Sequence, residues 1–451
     1  MTTTLSEEKT ALFETLPVGK AVAKLAIPTV VGSLVAILYS LTDTFFVGML
    51  NDPIETTAVT LVAPVILLFN AVNNLFGVGT GSMMSRALGQ KDYDTVKRTS
   101  SFGFWAALIS GILFSLLAIL FRQPLLKLLG STAEDRASTL AYMRWTVFFG
   151  AAPSILNVVL GNMVRSEGSA MHATLGTVSG CLLNIILDPF FILPQFLGLG
   201  AAGAGLATLL SNTVACGYFF GYMLLKRSSS FVTASPRYAI PTGAILREVF
   251  GVGFPASIQN ILNVTGMTIL NNRMAVYGTE AVSAIGITHK IAMVPMYISM
   301  GIGQGIMPLV GYNYASGNKK RIRDTLSFTV KISGVLVILI SGSLVAFPGA
   351  VMRTFMENRL VVEYGTAFLR GLCFASPFLA MDFLAVGVFQ ACGLGKYSFR
   401  FAIARKILLE IPAIFLLDLL FPMYGIAYSQ LCAEVVLAVI SVFLLRKIVR
   451  D

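Results

Sequence analysis

Long apolar runs alternate with short polar connections along almost the whole chain. Each run has about 20 residues or more, which is enough for a helix to cross the roughly 30 Å apolar core of a bilayer. Backbone groups cannot be hydrated in lipid, so apolar segments of this length are expected to be helical. The pattern predicts twelve spanning helices, at about 22–48, 58–86, 98–121, 138–163, 171–194, 202–225, 247–276, 281–312, 324–347, 364–391, 397–420 and 425–446.

Composition supports a membrane protein. The 451 residues are 56% hydrophobic and only 12% charged, with a mean hydropathy of +0.79. A soluble fold of this size could not keep so much apolar surface away from water. The five cysteines all lie in apolar runs without a CxxC pair, which argues against a disulfide framework or a zinc site. The predicted fold class is therefore an all-α polytopic membrane protein that lies in the lipid bilayer.

The basic residues are distributed unevenly between the two sides of the predicted bundle. Clusters such as Lys319–Arg323 fall on one side, whereas the opposite connections 51–57 and 195–200 contain no Lys or Arg. Basic connections mark the cytoplasmic side, so both termini are expected to be cytoplasmic and the protein to lie in the cell (inner, cytoplasmic) membrane. The net charge of +11 is thus an orientation signal, and nucleic-acid binding is not expected.

The chain contains an internal repeat. Gly77–Gly81 (GVGTG) has a counterpart in Gly301–Gly305 (GIGQG), and the polar segment 226–246 lies near the midpoint. This pattern predicts two homologous six-helix lobes, residues 1–225 and 247–451, joined by a cytoplasmic linker at 226–246. Because six is even, the lobes are parallel repeats, an arrangement typical of transporters that bind substrate between the lobes and rock them.

Several short motifs, in order along the chain, resemble those of the multidrug and toxic compound extrusion (MATE) family. They are Leu25-Ala-Ile-Pro28, Thr42-Asp-Thr-Phe-Phe-Val-Gly48, Ser85-Arg-Ala-Leu-Gly89, Asn184-Ile-Ile-Leu-Asp-Pro189, Gly200-Ala-Ala-Gly-Ala-Gly-Leu-Ala-Thr208 and Pro308-Leu-Val-Gly-Tyr-Asn313. The resemblance covers essentially the whole chain. It implies a V-shaped exporter of cationic or amphipathic compounds in exchange for H+ or Na+, with no organic cofactor. A monomer is expected.

The seventh helix differs from one branch of that family. NorM-like members use a Glu there for ion binding, whereas this chain has Gln259, Asn260 and Asn263. The chain is more similar to the DinF-like branch, in which coupling is attributed to the N-terminal lobe. The resemblance therefore implies ion coupling in the first lobe.

Ionisable residues inside spanning helices are costly and are candidates for function. Asp43 in the first helix and Asp188 in the fifth are expected at similar depth, toward the outer side. Asn184 shares a helix face with Asp188, Thr208 on the sixth helix reaches a comparable depth, and Tyr39 lies one turn before Asp43. These five residues are the predicted ion-coupling site. The alternative is a structural hydrogen-bonded cluster.

Proline residues add two features to this interpretation. Pro189 has no N–H, so the carbonyl of Ile185 loses its helical partner and becomes an additional oxygen ligand. Two carboxylates, an amide and a hydroxyl, from Asp43, Asp188, Asn184 and Thr208, are a candidate Na+ site. Without a metal ion, two close carboxylates favour holding a proton. We hypothesise that ion binding bends the first helix near Pro28, the predicted hinge, and displaces substrate.

The second lobe has its own polar residues. Asp382, Gln259 and Asn263 are expected at similar depth and could form a secondary polar or substrate site, or a structural hydrogen bond between helices. The sequence leaves open whether Asp382, Glu410 and Glu434 are functional. For the last two we expect structural ion pairs, with Lys331 or Arg370 as partners.

Two other functions fit the sequence less well than export. A lipid-linked saccharide flippase has a similar helical pattern, but it would need a cationic cavity for pyrophosphate, whereas the first lobe is acidic inside. A membrane-embedded enzyme would need a motif such as HExxH or a Ser/His dyad, and the chain has only two histidines in unsuitable positions. The sequence predicts an exporter rather than an enzyme. It names neither the substrate, the coupling ion nor the resting conformation.

Overall fold

The computed structural model describes residues 10–450, without the side chains of the last two, and this part of the chain is almost entirely helical and contains no strand. Twelve long helices follow one another in chain order. They are Val18–Gly48 (α1), Pro53–Gly89 (α2), Tyr93–Leu120 (α3), Arg136–Phe148 with Ala151–Ser166 (α4), Ala170–Ile192 (α5), Ala201–Leu225 (α6), Gly243–Met274 (α7), Thr279–Ala315 (α8), Lys319–Ala346 (α9), Arg359–Ala391 (α10), Gly395–Ile403 with Ala404–Glu410 and Ile411–Leu420 (α11), and Tyr424–Arg450 (α12).

Length and composition support membrane spans. Eight of these helices are long and apolar enough to cross a bilayer, and a ninth is added if the two segments of α4, which meet at 41°, form one span. Helices α7 and α12 have 32 and 27 residues, and α11 reaches spanning length only across a π-helical turn, Ala404–Glu410. The predicted all-α fold with twelve transmembrane helices in two pseudo-symmetric six-helix lobes is confirmed.

Helices α2 and α3 each start directly after an aspartate whose side chain caps the first turn. The side chain of Asp52 accepts a hydrogen bond from the N–H of Ile54 before α2, and that of Asp92 accepts one from the N–H of Thr95 (3.1 Å) before α3. The Thr95 hydroxyl also donates to Asp92, and these hydrogen bonds hold the pKa of this carboxyl below its usual value. Such caps explain why α2 begins five residues earlier than its apolar run predicts.

Two short helices were not predicted. Arg122–Leu129 follows α3 and Pro348–Phe355 follows α9, so each comes after the third long helix of its lobe. Each buries an apolar side chain, Leu126 or Met352, and exposes its charged ones, and segments of eight residues are too short to span a bilayer. Their equivalent positions in the two lobes are a further sign of the internal repeat.

The two lobes contact each other near the chain termini. We call the side of the bundle where α1 begins and α12 ends the terminus side, and the opposite one the far side. Helix α1 packs against α8, and α2 packs against α7. Gly253 lies against the carbonyl oxygen of Leu75, and Gly79 against that of Val249, so small residues allow the backbones to approach closely.

Hydrogen bonds between the lobes are found in the same region. Arg86 on α2 forms an ion pair with Glu248 on α7 at 2.7 Å, and Ser82 donates to the backbone carbonyl of Gln390 on α10. Near the N-terminus, the Tyr312 hydroxyl on α8 donates to Glu14 at 2.7 Å. The hydrogen bonds that join the lobes within residues 10–450 all lie at mid-membrane depth or closer to the terminus side. The molecule is therefore closed on that side.

The segment between the lobes packs on the first lobe. The hydroxyl of Ser100 donates to the carbonyl of Thr233 (3.2 Å), and the indole N–H of Trp105 donates to that of Ala234 (3.1 Å). The buried carboxylate of Glu167 accepts from the N–H of Phe231 (2.8 Å). Much of 226–246 is thus held by α3 and α4 rather than extending freely between lobes.

The contact between α2 and α7 allows a first prediction. A Cβ at Gly253 would overlap the carbonyl oxygen of Leu75, whereas one at Gly251, half a turn away, would meet nothing within 4 Å. Overpacking costs about 1–3 kcal/mol, so Gly253→Ala is expected to shift the equilibrium away from the closed terminus side by roughly 5- to 150-fold. Electron-spin distances between labels at Asp94 and Lys320, in a cysteine-free background, should lengthen.

The Gly251→Ala protein is the matched control because it carries the same added methyl on the same helix. Its label distances should equal those of the wild type. Equal distances in Gly253→Ala and Gly251→Ala would mean that the packing of α2 on α7 does not hold the terminus side closed.

Candidate functional site

The predicted coupling residues of the first lobe lie together between α1, α5 and α6. Asn184 and Asp188 are fully buried on one face of α5. The Asn184 amide nitrogen donates to Oδ2 of Asp188 at 2.9 Å, and its oxygen accepts from the N–H of Thr208 at 3.1 Å. The amide therefore connects α5 to α6 and fixes the position of the Asp188 carboxyl. Asp43 and Tyr39 approach the same point from α1.

Asp43 is the least satisfied member of this group. Its Oδ1 atom is buried and has no hydrogen-bond partner among residues 10–450. The carboxyls of Asp43 and Asp188 interact electrostatically, and in the described chain neither forms an ion pair with a Lys or Arg side chain. The Tyr39 hydroxyl interacts with the Thr208 hydroxyl and lies near both acids. Two carboxyls without a cationic partner can accept a proton or a small cation.

The structure adds one residue that the sequence analysis missed. Tyr142 on α4 is 4% exposed, and its hydroxyl lies within electrostatic range of Asp43, Tyr39 and Asp188. Two tyrosine hydroxyls thus lie beside two carboxyls. A tyrosine in an apolar helix carries no sequence signal of its own, and only the packing of α4 against α6 brings Tyr142 to this site.

Pro28 and Pro189, the two prolines of the predicted ion-coupling mechanism, both lie within helices. Pro189 is inside α5, one residue after Asp188, so the carbonyl of Ile185 has no helical N–H to accept from. Pro28 is inside α1, where Gly305 of α8 packs on the backbone of Ala26. The predicted hinge is thus next to a contact between the lobes.

The residues predicted to form a secondary polar site in the second lobe do not lie together. Gln259 and Asn263 on α7 line a cavity of about 110 Å³ between the lobes. Asp382 on α10 does not line it; its carboxyl is 1% exposed and accepts from the Ser441 hydroxyl on α12 at 3.2 Å. Similar depth placed the three together in the prediction, but Asp382 faces α12 whereas its neighbour Phe383 faces the cavity. The grouping was wrong.

The expected partners of Glu410 and Glu434 were also wrong. Glu434 on α12 pairs with Arg405 at 2.8 Å, and Glu410 pairs with Lys406 at 2.6 Å. The sequence analysis expected Lys331 or Arg370 as partners. Arg405 and Lys406 lie in the π-helical turn of α11, which directs both side chains into the lobe. The sequence predicts a regular helix at 397–420, so the π-helical turn and the ion pairs that it makes possible could not be expected from it.

The buried acid Asp382 lies beside Glu434 and within range of Arg405. His289 on α8 lies near Lys406, and its Nε2 atom is buried without a partner in the described chain. The interior of the second lobe therefore contains two ion pairs together with an additional acid and an imidazole. In contrast to the first-lobe acids, Glu434 and Glu410 already have cationic partners, and only Asp382 is outside an ion pair.

A metal ion would find limited support in protein ligands. No group of three or more His, Cys, Asp or Glu side chains in residues 10–450 is arranged to hold one. The first-lobe residues supply two carboxyls, the Asn184 amide and the Thr208 hydroxyl, and Oδ1 of Asp43 has no partner in the described chain. Hard oxygen ligands of this kind suit Na+ as well as a proton.

A twelve-helix bundle in two pseudo-symmetric lobes, closed on one side and with unpaired acids inside one lobe, defines the class of secondary transporters with parallel repeats. The MatE family model matches residues 28–190 and residues 255–416, one match in each lobe. The chain belongs to the MATE family.

Relatives and solved structures agree with this assignment. Multidrug export protein MepA of Staphylococcus aureus (strain MRSA252) is 32% identical over 446 residues, covering 98% of this chain and 97% of that protein. MepA of Staphylococcus saprophyticus is 33% identical over 448 residues, covering 98% and 97%. An outward-facing structure of a multidrug resistance MATE family transporter superposes with a TM-score of 0.91 at 25% identity, covering 98% and 97%. These relatives are transporters, not enzymes, as the sequence predicts.

Proposed function

We propose that this protein is a secondary multidrug exporter, which antiports cationic or amphipathic small molecules against H+ or Na+ by alternating access. Similarity to MepA over 98% of the chain supports export of several small molecules. The two-lobed architecture supports alternating access. The clusters of basic residues on the terminus side support a cell-membrane protein with both termini cytoplasmic.

The coupling ion binds in the first lobe. The observation that carries this assignment is the pair of buried carboxyls, Asp43 and Asp188, which have no cationic partner in the described chain. Asn184, Thr208 and Tyr39 position these acids and share the ion. A cation bound here acts directly on α1, because Asp43 lies on that helix whereas Asp188 lies on α5.

The lobes move as 1–225 and 247–451, with the linker 226–246 at the cytoplasmic side. With cytoplasmic termini, closure of the terminus side makes this the outward-facing state. Ion binding at Asp43 bends α1 near Pro28, where Gly305 of α8 contacts the helix. A bend there alters both the first-lobe interior and the contact between the lobes, which links ion binding to release of the substrate.

A lipid-linked saccharide flippase is the alternative. Such cargo carries pyrophosphate, which would be recognised by Arg or Lys side chains. The unpaired groups around Asp43 and Asp188 are acidic, and the buried cations Arg405 and Lys406 of the second lobe are already paired. The one buried cation of the first lobe without an acidic partner in the described chain, Arg165, lies away from these acids at the terminus-side end of α4. The charges therefore favour a cationic cargo.

Transport by purified protein in liposomes tests the proposal. Uptake of ethidium, a fluorescent cation, is measured with a pH gradient alone, a Na+ gradient alone, and neither. We expect accumulation to follow one of the imposed gradients and to stop when that gradient is dissipated. Accumulation that is indifferent to both gradients would refute antiport, and flipping of a labelled pyrophosphate-linked lipid without transport of cations would favour the alternative.

A further inference from the structure

The cavity between the lobes is lined by a group of uncharged amides. Six carboxamide side chains reach it from four helices: Asn74 of α2, Gln259, Asn260 and Asn263 of α7, Gln304 of α8 and Gln390 of α10. The rest of the lining includes two methionines and one phenylalanine, Met300, Met307 and Phe383, and no charged residue of the described chain. We call this cavity the amide pocket.

The amides of this pocket have no hydrogen-bond partners in the part of the chain that the structure describes. In residues 10–450 none of the six side chains takes part in a hydrogen bond within the chain, and five of them are half-buried rather than sealed. A carboxamide has two N–H donors and an oxygen that accepts two hydrogen bonds. Polar side chains at membrane depth normally bond across helices. Six without such bonds indicate that water or a ligand satisfies them.

The position of the amide pocket suits a substrate. It spans both lobes, since Asn74 belongs to the first and the other five amides to the second. The contacts that close the terminus side, including the hydrogen bond from Ser257 to the carbonyl of Ala71, lie beside it. A molecule in the pocket therefore contacts both moving parts at the place where they separate when the terminus side opens.

Size limits what can enter. The pocket has a volume of about 110 Å³, below the roughly 150 Å³ of a cavity that holds benzene and below the ~300 Å³ of a site for a whole drug. It therefore takes only the polar edge of one ring, while the rest of that ring and of the molecule stays in the cleft. Methionine sulfur and Phe383 favour an aromatic face, and the amides favour N–H or oxygen substituents on its edge.

Resting on the proposed export function, we propose that the amide pocket is a subsite for the uncharged, hydrogen-bonding edge of an aryl group of the substrate, such as the amino-substituted edge of an aminoaryl ring. The amide pocket does not recognise the positive charge of the substrate, because its lining contains no charged residue of the described chain. A site built from amides discriminates against a ring that lacks polar substituents, since the amides would then lose their water without replacement.

Two probes distinguish a subsite that recognises polar aryl groups from a site that binds any aryl cation. Ethidium carries amino groups on its rings, whereas tetraphenylphosphonium is an aryl cation without N–H or oxygen. For Gln259→Leu/Asn263→Leu we expect the Kd of ethidium to rise about tenfold or more, as for loss of two hydrogen bonds. The Kd of tetraphenylphosphonium should not rise by more than about twofold, and its retained binding also shows that the variant is folded.

The controls are chosen on the same helix. Asn272→Leu removes a carboxamide from an exposed position near the far end of α7 and should leave both affinities unchanged. Gln259→Met, close to glutamine in size, should reproduce part of the loss for ethidium alone. An equal loss for both probes, or no loss for ethidium, would overturn the subsite. Failure of the wild type to bind either probe would contradict the proposed function itself, and the subsite with it.

Discussion

Asp43→Asn is expected to lower the accumulation of substrate against a gradient by roughly tenfold or more, within the 5- to 150-fold range of common coupling free energies. Asparagine preserves the shape of the side chain but holds neither a proton nor a cation in the same way. The ion can shift the two-state equilibrium only through a difference in its affinity for the two states. Without that carboxyl, export in liposomes should lose its response to the driving gradient.

Binding of substrate in detergent should be largely retained in the same protein, because the prediction concerns coupling. Asp94→Asn is the matched control: the same change on an exposed residue of α3, where Asp94 forms an i,i+4 ion pair with Arg98. It should export at the wild-type rate. An Asp43→Asn protein that still exports uphill as fast as Asp94→Asn would show that Asp43 belongs to a structural cluster.

Much of the fold could be predicted because apolar length is a strong signal in a membrane protein. Twelve spans and two lobes follow from the runs and from the repeat between Gly77–Gly81 and Gly301–Gly305. Depth could be predicted too, since helix direction and residue count give the level of a side chain in the bilayer. Asp43 and Asp188 were expected at one level, and the structure places them within electrostatic range.

Rotation about a helix axis could not be predicted in the same way. Asp382 and Phe383 are neighbours at one depth, yet the first packs toward Ser441 and the second lines the amide pocket. Tyr142 reaches the first-lobe acids only because α4 packs behind α6. A nearly uniform apolar helix has no polar face from which its orientation can be inferred, so the side-chain partners depend on the tertiary packing.

The two lobes share a fold but differ in their internal charges. In the first, Asp43 and Asp188 have no cationic partner in the described chain. In the second, Glu434 and Glu410 are paired with Arg405 and Lys406. A cation that enters the first lobe finds acids without a cationic partner. In the second lobe it would have to displace Arg405 or Lys406 from the acids with which they are paired. This asymmetry supports coupling in the first lobe and a structural role for the ion pairs of the second.

That structural role leads to the second large prediction. Arg405 and Glu434 are about 5% and 0% exposed, and Arg405 also lies over the ring of Phe383. Removing one partner of a buried ion pair leaves the other charge uncompensated, which costs about 3–5 kcal/mol. Arg405→Met should therefore lower the apparent unfolding temperature in detergent by roughly 3–5 °C.

The double variant Arg405→Met/Glu434→Met decides whether the lost stability comes from the unpaired charge. Replacing both members of a buried pair by apolar side chains of similar volume is often neutral, so the unfolding temperature should return to within roughly 1 °C of the wild type. Arg98→Met, which removes the exposed partner of Asp94, should have no measurable effect. If the double variant also retains export driven by the ion gradient, the pair only stabilises the second lobe. If it unfolds as early as Arg405→Met, Asp382 and the packing on Phe383 depend on Arg405 itself, and the ion pair is not the source of the stability.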